Sequence, residues 1–298
     1  MSFRVAIVDD RFESYEEEQE VLGSIASLDI LRSTEPDDIV EFVRDADAVI
    51  VNLSVISRRA IQKMRRCRII CRYGIGYDNV DIDAATECGI WVARVPDYGI
   101  EDVSDHALGL FLACVRKIPF TDKGIRSGGW GFRRNRPSYR IQGKIFGLLG
   151  YGAIARALHR KLSGLGLERV IACDPYVNDS EIRSSGVEPT GIEDLLISSD
   201  YLSIHVPLTP ETRGIIDRQR LQLMKPTAII INTARGGIVD EEALAESLRS
   251  EEISYAALDV FETEPLAAES PLRTLENIIL TDHHAYYTEE SLVELKTK

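Results

Sequence analysis

Cysteine is scarce in this chain: five in 298 residues, an odd number, and never in C-x-x-C spacing. That excludes a disulfide framework and a zinc ribbon. Cys67, Cys71, Cys88, Cys114 and Cys173 instead read as free thiols of a reducing compartment, several of them inside apolar runs. Positive charge is also short. Lys and Arg number 35 against 48 Asp and Glu, a net charge of −13, which argues against a nucleic-acid partner because such binders carry a basic face. No apolar run approaches the length of a membrane-spanning helix. The start, Met1-Ser2-Phe3-Arg4, lacks the pattern of a signal or transit peptide, so a cytoplasmic location is expected. Short-period repeats and low-complexity segments are absent as well. What remains is 44% hydrophobic residues over a length suited to about two domains.

Short apolar runs alternate with helical patterns along the chain. Val5-Ala6-Ile7-Val8, closed by Asp9-Asp10, reads as a strand, then a helix from Glu16 to Ile25, then strands at 48–51, 68–71 and 90–92. A turn follows at Val95-Pro96-Asp97-Tyr98-Gly99, then a long helix from about Glu101 to Arg116. Later strands fall at 145–149, 170–173, 201–204, 228–231, 256–258 and 278–280, and a last helix at 288–298. Alternating strands and helices predict parallel sheets covered on both faces, and so an α/β protein of two similar lobes with a cleft between them. The basic stretch Arg133, Arg134, Arg136 and Arg140 reads as a solvated loop or a dimer contact, and Trp130 as a packing residue.

Gly147-Leu148-Leu149-Gly150-Tyr151-Gly152-Ala153-Ile154-Ala155 joins a strand to the helical pattern Ile154, Leu158, Leu162. Gly150 permits a tight turn, Gly152 lets a pyrophosphate approach, and Ala155 is small enough for close helix–strand packing. Phosphate would meet the free N–H groups of the helix start. A second strand ends in Asp174, 24 positions after Gly150, where a carboxylate can accept hydrogen bonds from a ribose. Without that acid the G-x-G-x-x-A run could be an ordinary turn before an ordinary helix; with it, a dinucleotide site is the stronger reading.

Hydride chemistry on an alcohol also needs a base, a cation for the oxygen, and a substrate site. Arg235, in Asn232-Thr233-Ala234-Arg235-Gly236-Gly237, suits a carboxylate or carbonyl, or else satisfies loop carbonyls. Three acids, Asp259, Glu262 and Glu264, compete in one stretch; Glu264, before Pro265, is expected to be extended. His283, in Thr281-Asp282-His283-His284-Ala285, is the candidate acid/base, with a glutamate holding its tautomer. A metal on His283 and His284 is disfavoured, because adjacent extended side chains point opposite ways. His106 and His159 read as helix-surface or packing residues. His205 ends a strand near the cofactor.

These residues resemble the NAD-dependent D-2-hydroxyacid dehydrogenases over nearly the whole chain. The matching stretches are Tyr73-Gly74-Ile75-Gly76-Tyr77-Asp78-Asn79-Val80-Asp81, residues 147–155, His205-Val206-Pro207-Leu208-Thr209, residues 232–240, 258–265 and 281–285. The resemblance implies a flavodoxin-like substrate lobe (1–99 and 284–298) and a doubly wound NAD-binding lobe (100–283). It makes Arg235, Glu264 and His283 catalytic. It gives the cofactor to Gly150, Tyr151, Gly152, Ala153, Ile154, Asp174, His205, Val206, Pro207, Thr233, Ala234, Arg235, Asp259 and His283. It gives the substrate, a small 2-hydroxy or 2-keto acid, to Tyr73, Gly74, Ile75, Gly76, Arg235 and His283. It implies a homodimer through the NAD-binding lobe, no resident metal and no membrane partner. Glu264 separates the chain from formate-dehydrogenase-like members, which pair the histidine with glutamine. Asp174-Pro175-Tyr176 and residues 285–290 look closest to the C-terminal-binding-protein-like branch, which raises the alternative of an NADH-sensing corepressor-like protein. Two departures stand out. Asp282 and His284 flank His283 where the family has proline before it and a small or apolar residue after. The chain also ends at Lys298, earlier than most relatives, so a shortened closing helix is expected.

Overall fold

The computed structural model describes residues 3–8, 11–131 and 137–298. Asp9, Asp10, Arg133, Arg134 and Arg136 lie outside them. The chain forms two compact units, one of Met1–Gly99 with Thr288–Lys298 and one of Ile100–Tyr287. The expected return to the first unit lay between His283 and His284. It falls four residues later because the N–H groups of His284 and Ala285 both donate to the Asp259 carboxylate at 2.9 Å, which keeps that loop in the second unit.

In the first unit, β1 (Phe3–Val8) leads to α1 (Glu16–Leu22) and β2 (Ala26–Leu31). Then come α2 (Pro36–Val43), β3 (Ala48–Val51), α3 (Arg58–Lys63), β4 (Ile69–Arg72), α4 (Ile82–Glu87) and β5 (Trp91–Arg94). The five strands are parallel in the order β2-β1-β3-β4-β5, the flavodoxin-like order. Val5, Ala6, Ile7 and Val8 are all buried, as a strand covered on both faces requires. The expected helix to Ile25 stops at Leu22. Residues 26–31 pair in register with β1 instead, Phe3 opposite Ala26, and this edge strand escapes a reading from local pattern.

The second unit opens with α5 (Ile100–Arg116) and α6 (Ile118–Arg126), then β6 (Ile145–Leu149), α7 (Ala153–Leu162) and β7 (Arg169–Cys173). α8 (Asp179–Ser184), the two-residue edge strand β8 (Glu188–Pro189), α9 (Ile192–Ser198) and β9 (Tyr201–Ile204) follow. The rest is α10 (Arg218–Leu221), β10 (Ile229–Asn232), α11 (Glu241–Arg249), β11 (Tyr255–Leu258) and β12 (Ile278–Leu280). The sheet order is β12-β11-β10-β9-β6-β7-β8, all parallel, so the direction of winding reverses between β6 and β9. Ligands of open α/β sheets bind at such a reversal, outside the carboxyl ends of the strands. Ala155, Leu158 and Leu162 line the buried face of α7; each buried leucine contributes roughly 2 kcal/mol.

The closing helix is present: α12 (Glu289–Thr297) starts in a capping box at Thr288 and Ser291. Its Lys296 is buried against the first unit. The ammonium reaches Glu17 Oε2 at 3.1 Å and lies over the rings of Phe12 and Tyr15. Trp130, expected to pack, is 85% exposed.

Candidate functional site

The second unit's glycine turn is set by its neighbours as much as by its own sequence. Gly150 has φ +92°, and a Cβ there would stand 2.9–3.0 Å from the main chain of His205 and Val206. Its N–H donates to Cys173 O at 2.8 Å. The turn is thus held between the ends of β7 and β9, at the winding reversal. α7 then begins at Gly152, which has no side-chain cap and open space around it. Its first N–H groups and the helix dipole suit an anion.

Asp174 closes β7. Its carboxylate accepts from Tyr151 N–H at 2.8 Å and Tyr176 N–H at 2.9 Å, and it stays half exposed with lone pairs to spare. Tyr151 lies behind the turn. Its N–H is engaged by Asp174, its ring is buried, and its hydroxyl lies 3.2 Å from His159 Nδ1. The tyrosine holds the turn from inside the core. His205 Nε2 lies 2.9 Å from Ser203 Oγ, and burial pushes its pKa down to about 4, so the ring is neutral.

At the end of β10, the buried Asn232 side chain ties the next loop. Its Nδ2 donates to Arg235 O at 2.8 Å, and its Oδ1 accepts from Ala234 N–H at 3.0 Å. Arg235 is half-buried, with one guanidinium nitrogen donating to Ala234 O at 2.7 Å. Gly236 packs directly on the main chain of Phe261 and Glu262, where any Cβ would collide. That contact brings the 233–236 loop against the acidic stretch 259–264. Asn232 was not among the sequence candidates, although a polar residue ending an apolar strand was the available signal.

The three competing acids separate by environment. Glu264 lies in a bend at 262–265, with a cis peptide to Pro265, rather than in the expected extended segment. Its Oε1 accepts from Phe261 N–H at 3.0 Å, and its Oε2 accepts from His283 Nδ1 at 2.7 Å. Glu262 exchanges hydrogen bonds with Glu241, whose pKa is raised by burial and by the nearby carboxylates. Asp259 is fully buried and engaged by Thr281, His284 and Ala285, so its carboxylate organises the 281–285 loop. Asp282 is exposed and enters none of the hydrogen bonds or ion pairs among the described residues. His106 is half-buried on its helix: its Nε2 lies 3.1 Å from Thr281 Oγ1, and burial lowers its pKa against the pull of Asp259.

In the first unit, Gly74 (φ +135°) follows β4, and the Arg72 guanidinium packs where its Cβ would be. Tyr73 donates its hydroxyl to the buried Glu18. The N–H groups of Ile75 and Gly76 carry no hydrogen bond among the described residues. Two adjacent free donors beside a buried guanidinium suit a carboxylate.

Residues 108–285, more than half of the chain, match the family model of the D-isomer specific 2-hydroxyacid dehydrogenase NAD-binding domain. The chain belongs to this dehydrogenase family. It is 37% identical over 279 residues to D-3-phosphoglycerate dehydrogenase of Methanocaldococcus jannaschii, covering 93% of this chain and 53% of that one. It is 37% identical over 257 residues to glyoxylate reductase of Korarchaeum cryptofilum, 85% of this chain and 77% of that one. D-lactate dehydrogenase of Aquifex aeolicus, solved with NAD and lactic acid, superposes with TM-score 0.87 at 27% identity, covering 98% and 92%. The chain spans about half the length of the phosphoglycerate dehydrogenases it matches. None of these three relatives favours the C-terminal-binding-protein-like branch. The chain's own groups fit NAD: an open helix start at Gly152, a half-exposed Asp174 carboxylate, and a buried Thr233 hydroxyl without a hydrogen-bond partner among the described residues.

Proposed function

We propose that the protein reduces a small 2-keto acid to its D-2-hydroxy acid with NADH, and catalyses the reverse oxidation. The observation that carries this reading is the 2.7 Å pair between His283 Nδ1 and Glu264 Oε2. A carboxylate only accepts, so Nδ1 carries the proton and Nε2 is left for the substrate. NADH, when bound, supplies the hydride. Protonated His283 gives the proton from Nε2 to the carbonyl oxygen as it becomes a hydroxyl. Glu264 stabilises the imidazolium before that transfer and keeps the ring oriented. Arg235 binds the substrate carboxylate and polarises the carbonyl. In the first unit, the free N–H groups of Ile75 and Gly76 suit a carboxylate of this kind. Asp174 favours NAD over a 2′-phosphorylated cofactor, which would face its charge.

The test is NADH oxidation with glyoxylate, pyruvate and 3-phosphohydroxypyruvate. His283→Ala should lower kcat about 10²- to 10⁴-fold, the span of a lost general acid. Tight NADH binding with no turnover of any keto acid would overturn the enzyme reading in favour of a cofactor-sensing binding protein.

A further inference from the structure

The loop that presents His283 is wrapped around one buried carboxylate. Asp259 Oδ1 accepts from Thr281 Oγ1 at 2.5 Å and from His284 N–H at 2.9 Å, and Oδ2 accepts from Ala285 N–H at 2.9 Å. The Asp259 carbonyl accepts from His283 N–H at 2.7 Å. One more group reaches this cluster from a different element. His106, on α5, places Nε2 at 3.1 Å from Thr281 Oγ1 and 3.5 Å from Asp259 Oδ1.

Donor counting gives the cluster a direction. The Thr281 hydroxyl has one proton, and Asp259 takes it. Thr281 Oγ1 can then only accept, so His106 must donate from Nε2. The chain runs from His106 Nε2–H through the Thr281 hydroxyl to Asp259. Hydrogen bonds so linked polarise and reinforce one another. The loop needs the hold, because His283 sits at φ +56°, a left-handed conformation disfavoured for a residue with a Cβ.

We propose that His106 is a positioning residue for His283: through Thr281 and Asp259 it locks residues 281–285 and keeps the His283 ring on Glu264. This rests on the reading of His283 as the acid/base. No contact between His106 and His283 is involved; the ring nearest His106 is that of His284, at 6.2 Å.

Two variants separate the hydrogen bond from packing. His106→Phe keeps the bulk and removes the donor; His106→Gln keeps an N–H donor at a similar reach. Loss of a hydrogen bond in a charged chain should lower kcat about tenfold in His106→Phe, with NADH affinity and melting temperature unchanged. His106→Gln should recover most of the loss. Wild-type kcat in His106→Phe, or equal loss in both variants, would overturn the proposal. A second measurement needs no turnover: the ¹⁵N imidazole NMR signals of His283 in the cofactor-free protein. His106→Phe should broaden them or shift them towards a tautomer mixture, and an unchanged spectrum would overturn the proposal. If the wild type reduces no keto acid while the spectrum does change, the positioning stands and the proposed activity falls.

Discussion

The two sheets share their winding and differ in which strand end offers an anion site. In the second unit it follows the first strand, β6: Gly150, then a helix start with open space at Gly152. In the first unit it follows the fourth strand, β4: Gly74 and the free N–H groups of Ile75 and Gly76, with Arg72 behind them. The neighbours differ too. Gly150 rests on main chain, at His205 and Val206, whereas Gly74 rests on the side chain of Arg72. One turn is suited to a phosphate on a helix dipole, the other to a small carboxylate on two amides and a guanidinium. A parallel sheet thus supplies several equivalent strand ends, and the turn chemistry decides which of them bind and what they bind.

The sharpest way to break the comparison is Gly150→Ala. A left-handed φ and a main-chain neighbour that cannot retract together cost roughly 2–3 kcal/mol. NADH affinity should fall about 30-fold or more by fluorescence titration. Gly74→Ala should act more mildly, because the Arg72 guanidinium can withdraw. A rise of about three- to tenfold in KM for the keto acid, with NADH affinity unchanged, is expected for a shifted pair of amide donors. Equal effects of the two substitutions on NADH binding would remove the distinction between the turns.

The two units also differ in their response to pH. All five histidines lie in the second unit. His205 titrates near 4 when folded and near 6.5 when unfolded, so the unfolded chain binds the proton first. Its contribution to stability is therefore full above about pH 6.5 and is lost as pH falls towards 4, by at most about 1.4 kcal/mol per pH unit. His205→Asn should flatten that slope for the second unit, read by hydrogen exchange of β6 and β9. An unchanged slope would place the acid sensitivity elsewhere.

Much of the site was legible because its signals are local. Glycine spacing, strand ends and Asp174 mark the dinucleotide turn without any tertiary contact. The pairing of acids with partners was not legible. Asp259, Glu262 and Glu264 are three carboxylates within six residues, and nothing in their order tells which one faces His283. The bend at 262–265 and the seat of Gly236 on Phe261 and Glu262 decide it. The partners of Tyr151 and His106 were not legible for the same reason: they lie far along the chain, Asp174 at 23 residues and Thr281 at 175.

The alternation of apolar runs and helical periods, the glycine turn at 150–152 and the acid at 174 were determined by sequence alone, because each depends on backbone sterics or on residues a few positions apart. Only the tertiary structure decided that Glu264 pairs with His283, that Asp259 holds the loop, and that β2 pairs with β1. Those outcomes depend on contacts between distant segments, where desolvation and donor counting choose among residues that look alike in a row.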